Sequence, residues 1–284
     1  MEVPHSKIPI PFRLQWSGHT DRGHVRKNNE DSFLCLQFDA QELRYLGKIG
    51  EGSGTHHDFV FAVSDGMGGA MAGEFASRIT VDKIASLLPR SYKLSAAGLE
   101  AGVADVLEEL YGEIHKALLY LGHSYEECSG MGATLSLCWF TPGWMHFAHI
   151  GDSRIYYLPA AGGGIRQITH DDTYVGWLFR KGELNERQAK THPRRNVLQR
   201  ALGAGNQFVD PQVGSVAFEP GDRFLLCSDG VVDGLYDEQL GELIRSPDAK
   251  AEPDPARRVV AAGLDRSGRD NTTALVVEIL NPQP

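Results

Sequence analysis

Short apolar runs of strand length dominate the chain, at 32–38, 59–64, 134–140, 144–150, 154–158, 223–228 and 273–280. They are rich in aromatic and β-branched residues and are bounded by Gly, Asp, Ser or Pro, so they predict strands. Runs 134–140 and 144–150 flank Thr141-Pro142-Gly143, which predicts a three-residue hairpin loop and antiparallel pairing. Two helical patterns interrupt the strands. In 99–121, Leu99, Val103, Val106, Leu107, Leu110, Ile114, Leu118 and Leu121 step by three and four. In 73–88, Phe75, Ile79, Ile84, Leu87 and Leu88 do the same, and Pro89 is expected to end that helix. Strands, two consecutive helices, then more strands point to antiparallel sheets with helices packed outside them, not to a doubly wound fold.

Three stretches break this texture. Residues 39–57 form a Gly-rich, mostly polar insert, expected to be a mobile loop between two strands. Residues 169–204 are polar, partly helical and carry Arg180, Lys181, Arg187, Lys190, Arg194, Arg195 and Arg200. Residues 245–256 are rich in Pro and Asp and are expected to be a linker or loop.

The chain has 284 residues, enough to bury a substantial core. Its 28 basic and 37 acidic residues give a net charge of −9. That balance argues against a role in coating nucleic acid or an anionic membrane. No stretch approaches the ~18 continuous apolar residues of a membrane helix. The opening MEVPHSKIPIPF, broken by prolines, lacks the features of a signal peptide. Cys35, Cys128, Cys138 and Cys227 have no CxxC spacing and are expected to be buried reduced thiols of a cytoplasmic protein.

The chemistry lies in the acids at strand ends. FAVSDG at 61–66 and LLCSDG at 225–230 are both strands closing on Ser-Asp-Gly, which puts Asp65 and Asp229 at a sheet rim. Glu30 and Asp31 precede a strand, Asp152 follows one, and Asp270 precedes the last. Any one of these acids is ordinary as a turn or cap residue, but all six occupy the same structural place. Carboxylates gathered at one rim repel unless a hard cation sits among them, and oxygen donors suit Mg²⁺ or Mn²⁺ better than Zn²⁺. GEGSGT at 50–55 lacks the helix and lysine of a phosphate loop. DGMGGAMAGE at 65–74 could present backbone amides to an anion or simply turn into a helix. Ser64 and Ser228 have no GxSxG context, so no nucleophile stands out.

RKNNED at 26–31, DGMGG at 65–69, SGMGATL at 129–135, GDSR at 151–154, NVLQRALG at 196–203, SDGVVDGL at 228–235 and GRDNTTALVV at 268–277 occur in this order. Together they resemble the metal-dependent Ser/Thr protein phosphatases, the PPM family, in compact bacterial form, over roughly residues 14–280. The resemblance implies an α+β fold, a β-sandwich of two antiparallel sheets flanked by helices (αββα), with a metal site in the cleft at one end. It implies one phosphatase domain over 11–281, with 39–57 as a loop insert, 169–204 as a flap over the cleft, and 1–10 as an N-terminal extension. Asp65 would bridge two ions, the Gly66 carbonyl would bind one of them, and Asp229 and Asp270 the other. Glu30 and Asp31 would act through metal-bound water, Arg26 would grip the substrate phosphate, and Asp152 with Asp229 would form a weaker third site. The implied cofactor is Mn²⁺ or Mg²⁺.

Two positions depart from the family pattern. Ala133 stands where a Thr is usual, and Met67 follows Asp-Gly where animal relatives have a proposed acid, His. The implied activity is hydrolysis of phosphoserine and phosphothreonine on proteins by a metal-activated water. The partners would be phosphorylated substrates of a Ser/Thr kinase, or the kinase itself. A monomer is expected, with no nucleic-acid or membrane partner. The rival readings are a catalytically silent phosphoprotein binder and a two-metal nuclease; the acidic charge weighs against the nuclease.

Overall fold

A computed structural model describes residues 12–39, 41–54, 57–68, 71–96, 102–206, 208–245 and 252–281, with the backbone alone over 89–96. The expected extension 1–10 therefore lies outside the described residues, as do Leu99, Gly69, Ala70 and residues 246–251 of the expected 245–256 loop.

The strands in chain order are β1 (Arg13–Asp21), β2 (Asp31–Phe38), β3 (Leu43–Tyr45), β4 (Ile49–Ser53), β5 (Asp58–Met67), β6 (Gly132–Ala133) and β7 (Leu135–Thr141). There follow β8 (Trp144–Ile150), β9 (Arg154–Leu158), β10 (Arg166–Gln167), β11 (Leu202–Gly203), β12 (Gln212–Ala217), β13 (Arg223–Cys227) and β14 (Thr272–Leu280). The helices are α1 (Ala72–Ala96), α2 (Val103–Ser124), α3 (Tyr174–Arg180), α4 (Glu186–Thr191), α5 (Asp229–Gly234), α6 (Asp237–Arg245) and α7 (Pro255–Arg266). Six strands form one sheet in the order β10-β9-β13-β14-β1-β4. The eight-stranded sheet runs β11-β6-β5-β7-β8-β12, with β2 against β5 and β3 against β2. Every named pairing is antiparallel.

The central strands carry apolar residues at successive positions along their middles because both of their faces are covered. On β5, Phe59, Phe61 and Val63 enter the core between the sheets, while Val60 and Ala62 face the core under α1 and α2. On β13, Phe224 and Leu226 point between the sheets, and Leu225 and Cys227 into the core shared with α5, α6 and α7. This two-residue alternation produces three cores and four layers, helix–sheet–sheet–helix. Each large apolar side chain so buried contributes roughly 1.5–3 kcal/mol. All four cysteines are buried and free. Among the described residues no helix is long and apolar enough to cross a membrane.

Three expectations need correction. The segment expected to be a loop insert at 39–57 contains β3, which extends the eight-stranded sheet, and β4, which closes the other sheet beside β1. Its glycines alternate so that Trp16 lies against Gly50, Phe59 against Gly52 and Phe12 against Gly54, where a Cβ would meet each ring within 2.6 Å. Helix α1 runs through Pro89 to Ala96. Proline deletes one backbone donor and strains the preceding turn, but the helical bonds on either side can survive that local loss. The β7–β8 loop is two residues, since Thr141 pairs with Trp144, and Gly143 at φ +80° occupies the position that needs it.

Candidate active site

The strand polarity puts the acids at one rim. β5 ends there and β2 begins there, with Asp31 opposite Asp65 in the ladder. β13 ends just before Asp229, and its partner β14 begins two residues after Asp270. A cavity of about 490 Å³ opens at this rim, lined by Arg26, Glu30, Asp65, Gly66, Asp152, Asp229 and Asp270, with Met67 and Asn196 on its wall. All the expected site residues except Asp31 therefore meet in one cleft. Asp31 stands behind it, where its Oδ2 accepts from Ser228 Oγ at 2.7 Å and from Thr273 Oγ1 at 2.6 Å.

The electrostatics are those of crowded acids. Burial, then the charges of Asp31, Asp229, Asp152 and Asp270, hold the Asp65 carboxyl well above its ordinary 3.8. Burial, then Asp152 and Asp270, does the same to Asp229. Asp152 is pushed up to about 7 by burial and then by Asp171, against the pull of Arg154. Asp31 is pushed up to about 6 by burial, with the Ser228 and Thr273 hydroxyls opposing. Glu30 is raised by burial, against Arg26.

The donor set fits hard divalent cations. It is all oxygen, and the buried Oδ1 atoms of Asp31 and Asp229 have no hydrogen-bond partner. A buried carboxylate oxygen left unpaired costs free energy that a cation recovers. Among the described residues no three acidic, imidazole or thiolate groups already converge on one point. Arg26, expected to grip phosphate, donates from Nη2 to Asp270 Oδ2 at 2.7 Å and is half-exposed. A guanidinium there can exchange one oxyanion for another.

The supporting groups lie in motifs whose acids drew attention first. The Asn271 side chain accepts from the Glu30 N–H at 2.8 Å and donates to the Arg22 and Asn28 carbonyls, which anchors the loop bearing Arg26 to the start of β14. Thr134 Oγ1 accepts from the Asp65 N–H at 3.0 Å. Ala133, the departure from the family pattern, is fully buried and pairs with Gly66 and Leu202. Thr273 had no signal beyond its place after Asp270; Ser228 was visible as the residue before Asp229.

The segment 169–204, expected to be a flap, carries α3, capped by Thr173, and α4, capped by Asn185. A second cavity of about 280 Å³ lies beneath it and shares Asp152, Asn196 and Asp229 with the first. The positive strip of this segment is partly used up in contacts within the protein. Arg195 pairs with Asp233 at 3.1 Å, Arg200 with Asp210 at 3.3 Å, and Lys181 sits 4.0 Å above the Trp177 ring.

The protein phosphatase 2C family model matches residues 51–271. The chain belongs to this family. The serine/threonine protein phosphatase PstP of Mycobacterium tuberculosis is 32% identical over 275 residues, 96% of this chain and 46% of PstP. This phosphatase 2C chain thus spans about half the length of that curated relative. The serine/threonine phosphatase stp of Listeria monocytogenes is 33% identical over 261 residues, 91% of this chain and 93% of its own. The crystal structure of the PstP catalytic domain in complex with two manganese ions aligns with a TM-score of 0.72 at 29% identity, covering 95% of this chain and all of that one. The four-layer arrangement is the one expected for the family.

Proposed function

We propose that this phosphatase 2C chain hydrolyses phosphoserine and phosphothreonine on proteins, using divalent cations held at the sandwich rim. The observation that carries this reading is the set of carboxylates in one cleft, where Asp65 and Asp229 are raised by burial and by their acidic neighbours. Manganese in PstP, which is similar over the whole described fold, supports the choice of cation. Asp65, the Gly66 carbonyl, Asp229 and Asp270 would hold two ions, Mn²⁺ or Mg²⁺, and Asp152 with Asp229 a weaker third. Such ions supply the Lewis acidity that makes water nucleophilic near neutral pH and offsets phosphoryl charge.

The rest is done by the chain. Arg26 orients the phosphoryl oxygens by a forked contact, leaving Asp270 to do so. Glu30 orders water in the cleft, and Asp31 stands behind it, held by the Ser228 and Thr273 hydroxyls. Met67 lines the cavity, and its thioether cannot donate a proton to the leaving alkoxide. Substrates would be phosphorylated products of a Ser/Thr kinase, or the kinase itself. The chain would act as a cytoplasmic monomer, with residues 11–281 as one catalytic domain and without nucleic-acid or membrane partners. The test is phosphate release from a phosphothreonine peptide. We expect it to require Mn²⁺ or Mg²⁺, to stop with chelator and to vanish in Asp65→Asn. Phosphopeptide binding without turnover at saturating Mn²⁺ would establish the silent binder instead.

A further inference from the structure

Helix α5 is six residues long and begins with Asp229, so whatever holds its far end helps to place that carboxylate. Its far end is held by the flap. Lys190 of α4 donates from Nζ to the Val232 carbonyl at 2.5 Å and to the Leu235 carbonyl, and sits 4.4 Å above the Tyr236 ring. Its side chain is only 16% exposed. Two further contacts run the same way. Arg195 pairs with Asp233 in the last turn of α5, and Glu186 accepts from the Asp237 N–H at 3.4 Å. Other flap cations bind elsewhere: Lys181 and Arg194 lie over Trp177 and Tyr174, and Arg180 donates to the Asp171 carbonyl. A buried ammonium that satisfies helix-end carbonyls is costly to remove, because those carbonyls lose their donor. The flap's inner wall and the cleft also share Asp152, Asn196 and Asp229.

We propose that Lys190 is a positioning residue that grips α5 from behind Asp229 and thereby couples the docked flap to cation affinity at the Asp152–Asp229 pair. This rests on the metal reading above. When the flap lifts, α5 loses its anchor and the weakest cation is released first; when that cation binds, the flap is held down.

The experiment is Mn²⁺ titration of the whole chain, with free Mn²⁺ read by electron paramagnetic resonance, beside amide exchange over 174–191. In Lys190→Gln the weakest ion should bind about tenfold less tightly, the low end of the loss seen when support behind a metal ligand is removed. The ion held at Gly66 should be unchanged, the one that Asp229 shares with Asp270 should weaken less, and exchange in the flap should rise. Lys190→Arg should recover much of the affinity, and Lys181→Gln should match the wild type. Arg195→Gln should show the same selective loss in smaller measure, and it carries the test if Lys190→Gln does not fold. Faster flap exchange with wild-type Mn²⁺ binding would overturn the coupling, as would equal loss of every ion. Failure of the wild type to bind Mn²⁺ would overturn the metal reading itself, and the coupling with it.

Discussion

Asp152→Asn should make the metal-free protein more stable while weakening its hold on cations. Asp152 is 9% exposed, and its carboxyl is pushed up to about 7 from an ordinary 3.8, first by burial and then by Asp171. Three pH units of displacement correspond to a penalty on the order of 4 kcal/mol against the ionised form. The sign follows from linkage. An acid raised in the folded state destabilises it fully above the folded value, less as pH falls, and not at all below the unfolded value. Asparagine keeps the shape and removes the charge. In chelator at pH 8 the variant should therefore melt higher, by roughly 8 °C for a chain of this size. The gap should narrow to less than half by pH 5, where the wild-type carboxyl is protonated. Saturating Mn²⁺ should reverse the order, because an ion that binds only the native state stabilises in proportion to its affinity. The assay is thermal unfolding by circular dichroism at both pH values, with chelator and with Mn²⁺. A variant that melts level with or below wild type in chelator at pH 8 would refute the argument that crowded charge, not packing, dominates this position.

A Cβ at Gly66 would lie 1.9 Å from the Gly73 carbonyl oxygen and 3.0 Å from that of Glu30, both backbone atoms. Gly66→Ala should abolish turnover and cost about 1–3 kcal/mol in urea unfolding; wild-type kinetics would disprove the close approach. Tyr111 is fully buried, and its hydroxyl reaches the Ala148 carbonyl at 2.6 Å and that of Leu135 at 3.2 Å. Tyr111→Phe should cost about 1–3 kcal/mol by the same method without altering kcat, and a shift in kcat would tie this distant contact to the site. Arg194 is exposed, whereas Arg195 is paired with Asp233. Arg194→Glu should raise KM for phosphopeptides more than for an aryl phosphate, and less so at high salt. Equal effects on the two substrates would make the residue structural.

What was legible in the sequence is what depends on local pattern. The alternation in FVFAVS already divides β5 between two cores, and Asp-Gly after an apolar run already places an acid at a strand end. What was not legible depends on partners far along the chain. The cations at 190, 195 and 200 read alike in sequence, yet one caps a helix, one pairs with Asp233 and one with Asp210. The glycines at 50, 52 and 54 look like a flexible loop until Trp16, Phe59 and Phe12 are seen lying on them. Ser228 and Thr273 gain their role only because β13 ends and β14 begins beside Asp31 of the other sheet.

That last contact has a mechanical meaning. Asp31 and Asp65 belong to the eight-stranded sheet, and Asp229 and Asp270 to the ends of strands in the six-stranded one, so the cleft straddles the seam of the sandwich. The acids hold their spacing only while the two layers stay in register, and that register is set by interleaved rings such as Phe61, Phe140 and Phe224 deep in the seam. The reaction centre is in effect an alignment gauge for the whole molecule. A core substitution far from any phosphate that lets one layer slip by an ångström would spoil the chemistry before it unfolded the chain.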